Sequence, residues 1–255
     1  MGRRVSLFRP AAATLLALAM IALAPAGPVL AQCVPATGAG CDLRSRIAAA
    51  EAFVATRPGT VGYVLRDRTS GLRYRNAHAA TMIWTASTIK LAMVVDLLTR
   101  ERAGTVRLSA EDRQLMQAML RGSDNDATDT LWDRYGGPDH RAFNAGFPRY
   151  GMTSVAPQPG FGSVFPYWGF QKGTAEMQKV APNQQWGVWG AGPQMAPGNK
   201  NGWSQEQGGW VVNSVGFAGP AQRYTLTVFN ALNGEGGFDD GVQTTTGLGR
   251  ILLGR

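Results

Sequence analysis

The chain has 255 residues, enough for one domain with an inserted subdomain and a sizeable core. Apolar residues make up 44% and charged residues 16%, a globular rather than a disordered balance. The formal charge is +8, and removing residues 1–31, with three arginines and no acid, leaves +5. The basic residues are scattered, with no Lys/Arg cluster interleaved with aromatics, so no nucleic-acid partner is expected. A modest positive field remains suited to an anionic substrate.

Residues 1–31 read as a signal peptide. Arg3, Arg4 and Arg9 precede an apolar run over residues 11–24, which is too short to span a bilayer. Pro25, Gly27 and Pro28 break the run, and Val29-Leu30-Ala31 offers a small-residue cleavage site. A secreted, periplasmic or cell-envelope location follows. Leu30-Ala31-Gln32-Cys33 resembles a bacterial lipoprotein signal, although Gln32 is unusual before the cysteine. Cys33 and Cys41 are the only cysteines. Export permits a disulfide, and a Cys33–Cys41 staple is preferred to lipidation of Cys33. No metal is expected, because His78 and His140 show no ligand spacing.

Residues 32–41, rich in Pro, Gly and Ala, read as a linker before a domain over residues 42–255. Asp42 is placed to cap a helix over 43–55. Residues 60–66 alternate as a strand, with Val61, Tyr63 and Leu65 on one side, and 72–76 form the returning strand. Helical spacing then covers 87–102. Ser109-x-x-Asp112 is a capping box for a helix to about residue 121, and a further helix covers about 126–135. Pro138 suits the first position of a fourth. Residues 147–173 read as a long ordered loop, followed by a short helix near 174–180. Residues 186–190, 199–204, 209–217 and 223–232 have strand character, and 239–253 form a terminal helix. The expected class is α/β (α+β): an antiparallel five-stranded sheet flanked by the N- and C-terminal helices. An all-helical subdomain, about 82–182, is inserted.

Three segments carry the chemistry. In Ser87-Thr88-Ile89-Lys90 the serine and lysine share one helix face, so the amine can approach the hydroxyl. Serine is a weak nucleophile that needs an adjacent base, and a buried lysine can lose its charge where arginine cannot. In Ser123-Asp124-Asn125, Ser123 is placed to relay a proton, and Asn125 to orient the lysine and a substrate amide. In Lys200-Asn201-Gly202, Lys200 supplies positive charge and Gly202 permits close backbone approach to a ligand. Taken singly, each segment has an ordinary structural reading: a solvated helix pair, a helix cap and a hairpin turn. Lysine usage adds weight. The chain has 21 Arg but only four Lys, and two of those four lie in these segments.

Together, in this order and in these contexts, the three segments resemble the penicillin-recognising serine enzymes, namely class A β-lactamases and D-alanyl-D-alanine peptidases. The resemblance covers about residues 42–255 and includes Gly208-Gly-Trp-Val-Val-Asn-Ser214. It implies acylation at Ser87, with Lys90 as base. It assigns proton transfer to Ser123, amide binding to Asn125 and carboxylate binding to Lys200 and Asn201. The oxyanion would rest on the N–H groups of Ser87 and Trp203. No cofactor is implied. The expected partner of this monomer is a β-lactam or a peptidoglycan stem peptide.

The sequence departs from this pattern in three places. Asn201 stands where a hydroxyl residue is usual. Between Gly136 and Gly173 the only acid is Asp139, so no equivalent of the family's deacylating Glu is found. Residues 174–200 are short for the helices usual there. Three functions therefore stand: a β-lactamase with slow deacylation, a cell-wall D-Ala-D-Ala peptidase or transpeptidase, and a degenerate penicillin-binding module. The aromatic run containing Phe161, Phe165, Tyr167, Trp168 and Phe170 is either a satellite core or a pocket wall.

Overall fold

A computed structural model describes residues 38–159, 165–173, 175 and 185–254. The signal segment, Cys33 and most of the short helix expected near 174–180 lie outside the described residues. So does the Cys33–Cys41 pairing.

The chain opens with helix α1 (Gly38–Val54), which begins inside the expected linker. Asp42 is therefore not a cap. It lies within the helix and pairs with Arg46 at 3.0 Å, one turn on. Strands β1 (Thr60–Asp67) and β2 (Arg73–Arg75) form the hairpin. Strands β6 (Gly198–Glu206), β7 (Gly209–Ala218) and β8 (Tyr224–Ala231) complete an antiparallel sheet in the order β2-β1-β8-β7-β6. Helix α6 (Phe238–Leu253) closes the chain.

The two-residue period of β1 divides the protein into two cores. Val61, Tyr63 and Leu65 face α1 and α6, where they join Leu43, Ala50, Leu248 and Leu252. Val64 faces the other way, with Val211, Val215 and Phe229, toward the helical part. That part contains α2 (Ile89–Arg102), α3 (Ala110–Arg121), α4 (Asn125–Tyr135) and α5 (Ala142–Gly146). The capping box at α3 forms as its residues require. Asp112 N donates to Ser109 Oγ at 3.1 Å, and Ser109 N donates to Asp112 Oδ2 at 2.8 Å.

The structure corrects four of the local expectations. Ser87 lies in a 3₁₀ turn, Ala86–Thr88, just ahead of α2. Helix α5 starts at Ala142 rather than at Pro138. The expected long loop contains two short strands, β4 (Ala156–Pro157) and β5 (Gln171–Gly173), which form a small sheet with β3 (Ile83–Trp84) from before α2. Finally, the strand expected at 186–190 is a 3₁₀ turn, Gly187–Ala191. Gly187 has φ +73°, in the left-handed region rather than the extended one. Its N–H donates to Thr246 Oγ1 on α6, and the Val188 N–H to Ser214 Oγ on β7, both at 3.0 Å. Side chains from two other elements thus replace a strand partner.

Candidate active site

The site lies where edge strand β6 meets the 3₁₀ turn ahead of α2. Asn213 on β7 anchors that turn, its Nδ2 donating to Trp84 O at 2.7 Å and to Thr85 O at 3.3 Å. From the other side, Thr85 N donates to Gln171 O of β5 at 2.9 Å. Thr88 Oγ1 donates to Thr85 O at 2.5 Å. Ala86, just before Ser87, has φ +44°. A non-glycine residue there costs of order 1–3 kcal/mol and persists only where its surroundings hold it.

Gly202 explains how closely β6 approaches. A Cβ on it would lie 2.6 Å from Thr88 N and 2.7 Å from Ser87 N. The glycine therefore admits the backbone of Ser87, where the sequence had suggested a ligand.

Lys90 is fully buried one turn beyond Ser87. Among the described residues its hydrogen bonds run to the second motif rather than to Ser87 Oγ. Nζ donates to Ser123 O and to Asn125 Oδ1, each at 2.6 Å. Lys200, also fully buried, donates from Nζ to Ser123 Oγ at 3.0 Å and to Asn201 O at 2.6 Å. Ser123 therefore lies between the two amines, its Oγ 3.5 Å from Lys90 Nζ. It takes φ +57°, a second left-handed non-glycine residue at the site. Asp124 caps α4 by accepting from Ala127 N at 2.9 Å, which fixes Asn125 at the first helical position.

Neither lysine has a carboxylate within ion-pair distance among the described residues. Burial lowers Lys90 to about 8, partly offset by Asp124 and Asp129. Burial and then the nearby Lys90 charge lower Lys200 to about 7. An amine near 8 has a substantial neutral fraction at ordinary pH and can accept a proton.

The remaining wall includes Trp168, from the aromatic run that the sequence leaves open between satellite core and pocket wall, while Asp129 is not singled out by the sequence. Lys90 Nζ lies 4.5 Å from the centre of the Trp168 ring, a cation–π arrangement. Asp129 on α4 holds that ring: its Oδ1 accepts from Trp168 Nε1 and from Tyr167 OH, each at 2.6 Å. Trp132 Nε1 donates to Pro166 O at 3.1 Å and fixes the same segment. Trp168 thus walls the lysine, and the acid behind that wall comes from α4. Residues 129 and 168 are too far apart in sequence for spacing to signal the pair.

Not every expected residue points into the site. Alternation along β6 sends Asn201 to the face opposite Lys200 and Gly202. There it is fully buried, accepts from Asn199 Nδ2 at 2.6 Å and donates to Trp186 O at 3.3 Å. Its carboxamide is therefore turned away from the Lys200 face. The Trp203 ring is partly exposed and packs 5.8 Å from Trp186 and 5.7 Å from Phe238.

No family model matches the chain. The sequence is 34% identical over 123 residues to "Putative lipoprotein LppW" of Mycobacterium tuberculosis and of Mycobacterium bovis. That match covers 48% of this chain and 38% of each relative, so the chain spans well under half of the relatives it matches. Among solved structures, a reconstructed last common ancestor of Gram-negative class A β-lactamases aligns with TM-score 0.63. It is 15% identical over 82% of this chain and 98% of its own. A β-lactamase from Xanthomonas campestris aligns with TM-score 0.63 and 18% identity over 83% of this chain and 96% of its own. The fold is that of class A β-lactamases.

Proposed function

We propose that the protein is an exported active-site-serine hydrolase of the class A β-lactamase type, acylated readily at Ser87 and deacylated slowly. The observation that carries this reading is Lys90: buried, without a carboxylate partner among the described residues, one turn from a serine, and lowered to about 8. In the acylation step Lys90 Nζ takes the Ser87 hydroxyl proton. Ser87 Oγ bonds to the amide carbonyl carbon, and the oxyanion is received by the N–H groups of Ser87 and Trp203. Ser123, bridging the two lysines, delivers a proton to the amide nitrogen as the C–N bond breaks. Lys200 attracts the substrate carboxylate.

Release of the acyl group requires a water and a base. The wall over Lys90 is the Trp168 indole, and an indole accepts no proton at ordinary pH. Loss of general-base assistance costs about 10²–10⁴-fold in that step. An envelope location fits the N-terminal sequence and the lipoprotein description of the partial relatives.

The test is incubation with a fluorescent penicillin and a chromogenic cephalosporin. A covalent label that persists for many minutes and is absent in Ser87→Ala supports the reading. Rapid turnover would remove the slow step, and absence of any label would leave a binding module. Cleavage or transfer of a D-Ala-D-Ala peptide by the labelled enzyme would select the peptidase reading.

A further inference from the structure

We infer that the cleft between the β6–β7 hairpin and strand β3 is a binding site for a free α-amino acid, with Lys172 holding its carboxylate and Glu206 its ammonium group. The cleft encloses about 180 Å³, and none of Ser87, Lys90, Ser123 and Lys200 lines it. Its walls follow from local structure. Glu206 ends β6 directly opposite Gly209, the first residue of β7. Gly209 takes φ +100°, and a Cβ on it would lie 2.5 Å from Gly234 N, so the glycine lets the hairpin close against the chain just after β8. On the other side β3 pairs with β5, which sets Trp84 opposite Lys172. Lys172 Nζ lies 4.6 Å from the centre of the Trp84 ring, a cation–π contact that holds the ammonium at the cleft wall.

Two unlike charges thus line one cleft without meeting. Among the described residues Lys172 has no carboxylate within ion-pair distance, and Glu206 has no cation within it. Both side chains are half-buried, so neither charge is simply lost in bulk water. Such a pair of charges is complementary to a ligand that carries both signs itself. A lone anion would be attracted by Lys172 and repelled by Glu206, and a lone cation the reverse, so the cleft discriminates against each.

Met82, Ile83 and Trp210 add an apolar stretch of wall, which suits a hydrocarbon side chain. An α-amino acid carries an ammonium group, a carboxylate and a side chain on one carbon, which matches the three kinds of wall. Alternation along β6 puts Gly202, Ser204 and Glu206 on one face. The cleft therefore lies on the face that meets the Ser87 turn, displaced along the strand toward the hairpin. This inference is independent of the chemistry at Ser87.

The experiment is isothermal titration calorimetry of the full chain with L-leucine and D-leucine, and with two analogues that each lack one charge, isocaproate and isoamylamine. At least one leucine enantiomer should bind saturably, about tenfold or more tighter than either analogue, as expected for a charge-assisted contact at each end. Lys172→Met should bring leucine down to the level of isoamylamine while isocaproate stays weaker. Glu206→Gln should bring leucine down to the level of isocaproate while isoamylamine stays weaker. Each variant keeps one half of the recognition, which separates loss of a charge from loss of the fold. Three results would overturn the inference: no saturable binding of either enantiomer, leucine binding no tighter than the analogues, or a leucine affinity unchanged in either variant.

Discussion

Gly202→Ala tests whether the contact between β6 and the Ser87 turn sets the geometry of the site. The new Cβ would lie 2.6 Å from Thr88 N, 2.7 Å from Ser87 N and 3.1 Å from Thr85 O. All three are backbone atoms, so no side chain can rotate away. Ordinary contact begins near 3.4 Å, so the turn or the strand must retreat by about 0.7–0.8 Å. Overpacking of this kind costs about 1–3 kcal/mol. For a domain of this size that lowers Tm by about 2–12 °C. The same retreat separates Ser87 from the strand that would supply the second oxyanion donor, and misplacement of about 1 Å costs about 10²-fold in rate. The assay pairs a thermal melt with the rate of labelling by a fluorescent penicillin. Gly208→Ala in the same hairpin is the control, since nothing lies within 4 Å of its Cβ position. A Gly202→Ala protein that labels within twofold of the parent at unchanged Tm would refute the argument.

Four further outcomes are expected. Labelling should accelerate with pH through a midpoint near 8, where Lys90 becomes neutral, and should fall about tenfold per unit well below it; a rate flat between pH 6 and 9 would mean that Lys90 is not the base. Stability should also rise across this range. Both lysines are depressed in the native state, so from about pH 7 to 10.5 the unfolded chain binds more protons, and urea midpoints should climb with pH. Asp129→Asn removes a charge that raises Lys90, so the labelling midpoint should move to lower pH, and an unmoved midpoint would separate Asp129 from the lysine. Asn213→Ala strands Trp84 O and Asn230 N, both partners of that side chain, and should cost about 2–4 kcal/mol in urea titration with slower labelling; a loss under about 0.5 kcal/mol would exclude an anchoring role.

Local rules explain which features were legible beforehand. The capping box at Ser109 and Asp112 and the alternation of Val61, Tyr63 and Leu65 depend on neighbours three or two positions away. Ser87 and Lys90 also lie one turn apart, so their pairing could be read directly. By contrast, the turn at Gly187–Ala191 depends on Thr246 and Ser214, which no local propensity can see. Asn201 was expected to face the site beside Lys200, but the pleat of β6 turns consecutive side chains to opposite faces.

The sheet-and-helix class and the three short segments of the candidate site could be read from the residues alone, because each depends on spacing within a few positions. The surroundings of Lys90 come from long-range packing. The Trp168 ring and the Asp129 that holds it come from segments 39 positions apart, and the turn carrying Ser87 is fixed by Asn213 from a distant strand. Burial is likewise a property of the assembled fold. It is burial that moves both lysines down from the ordinary amine range toward a pH at which one can act as a base.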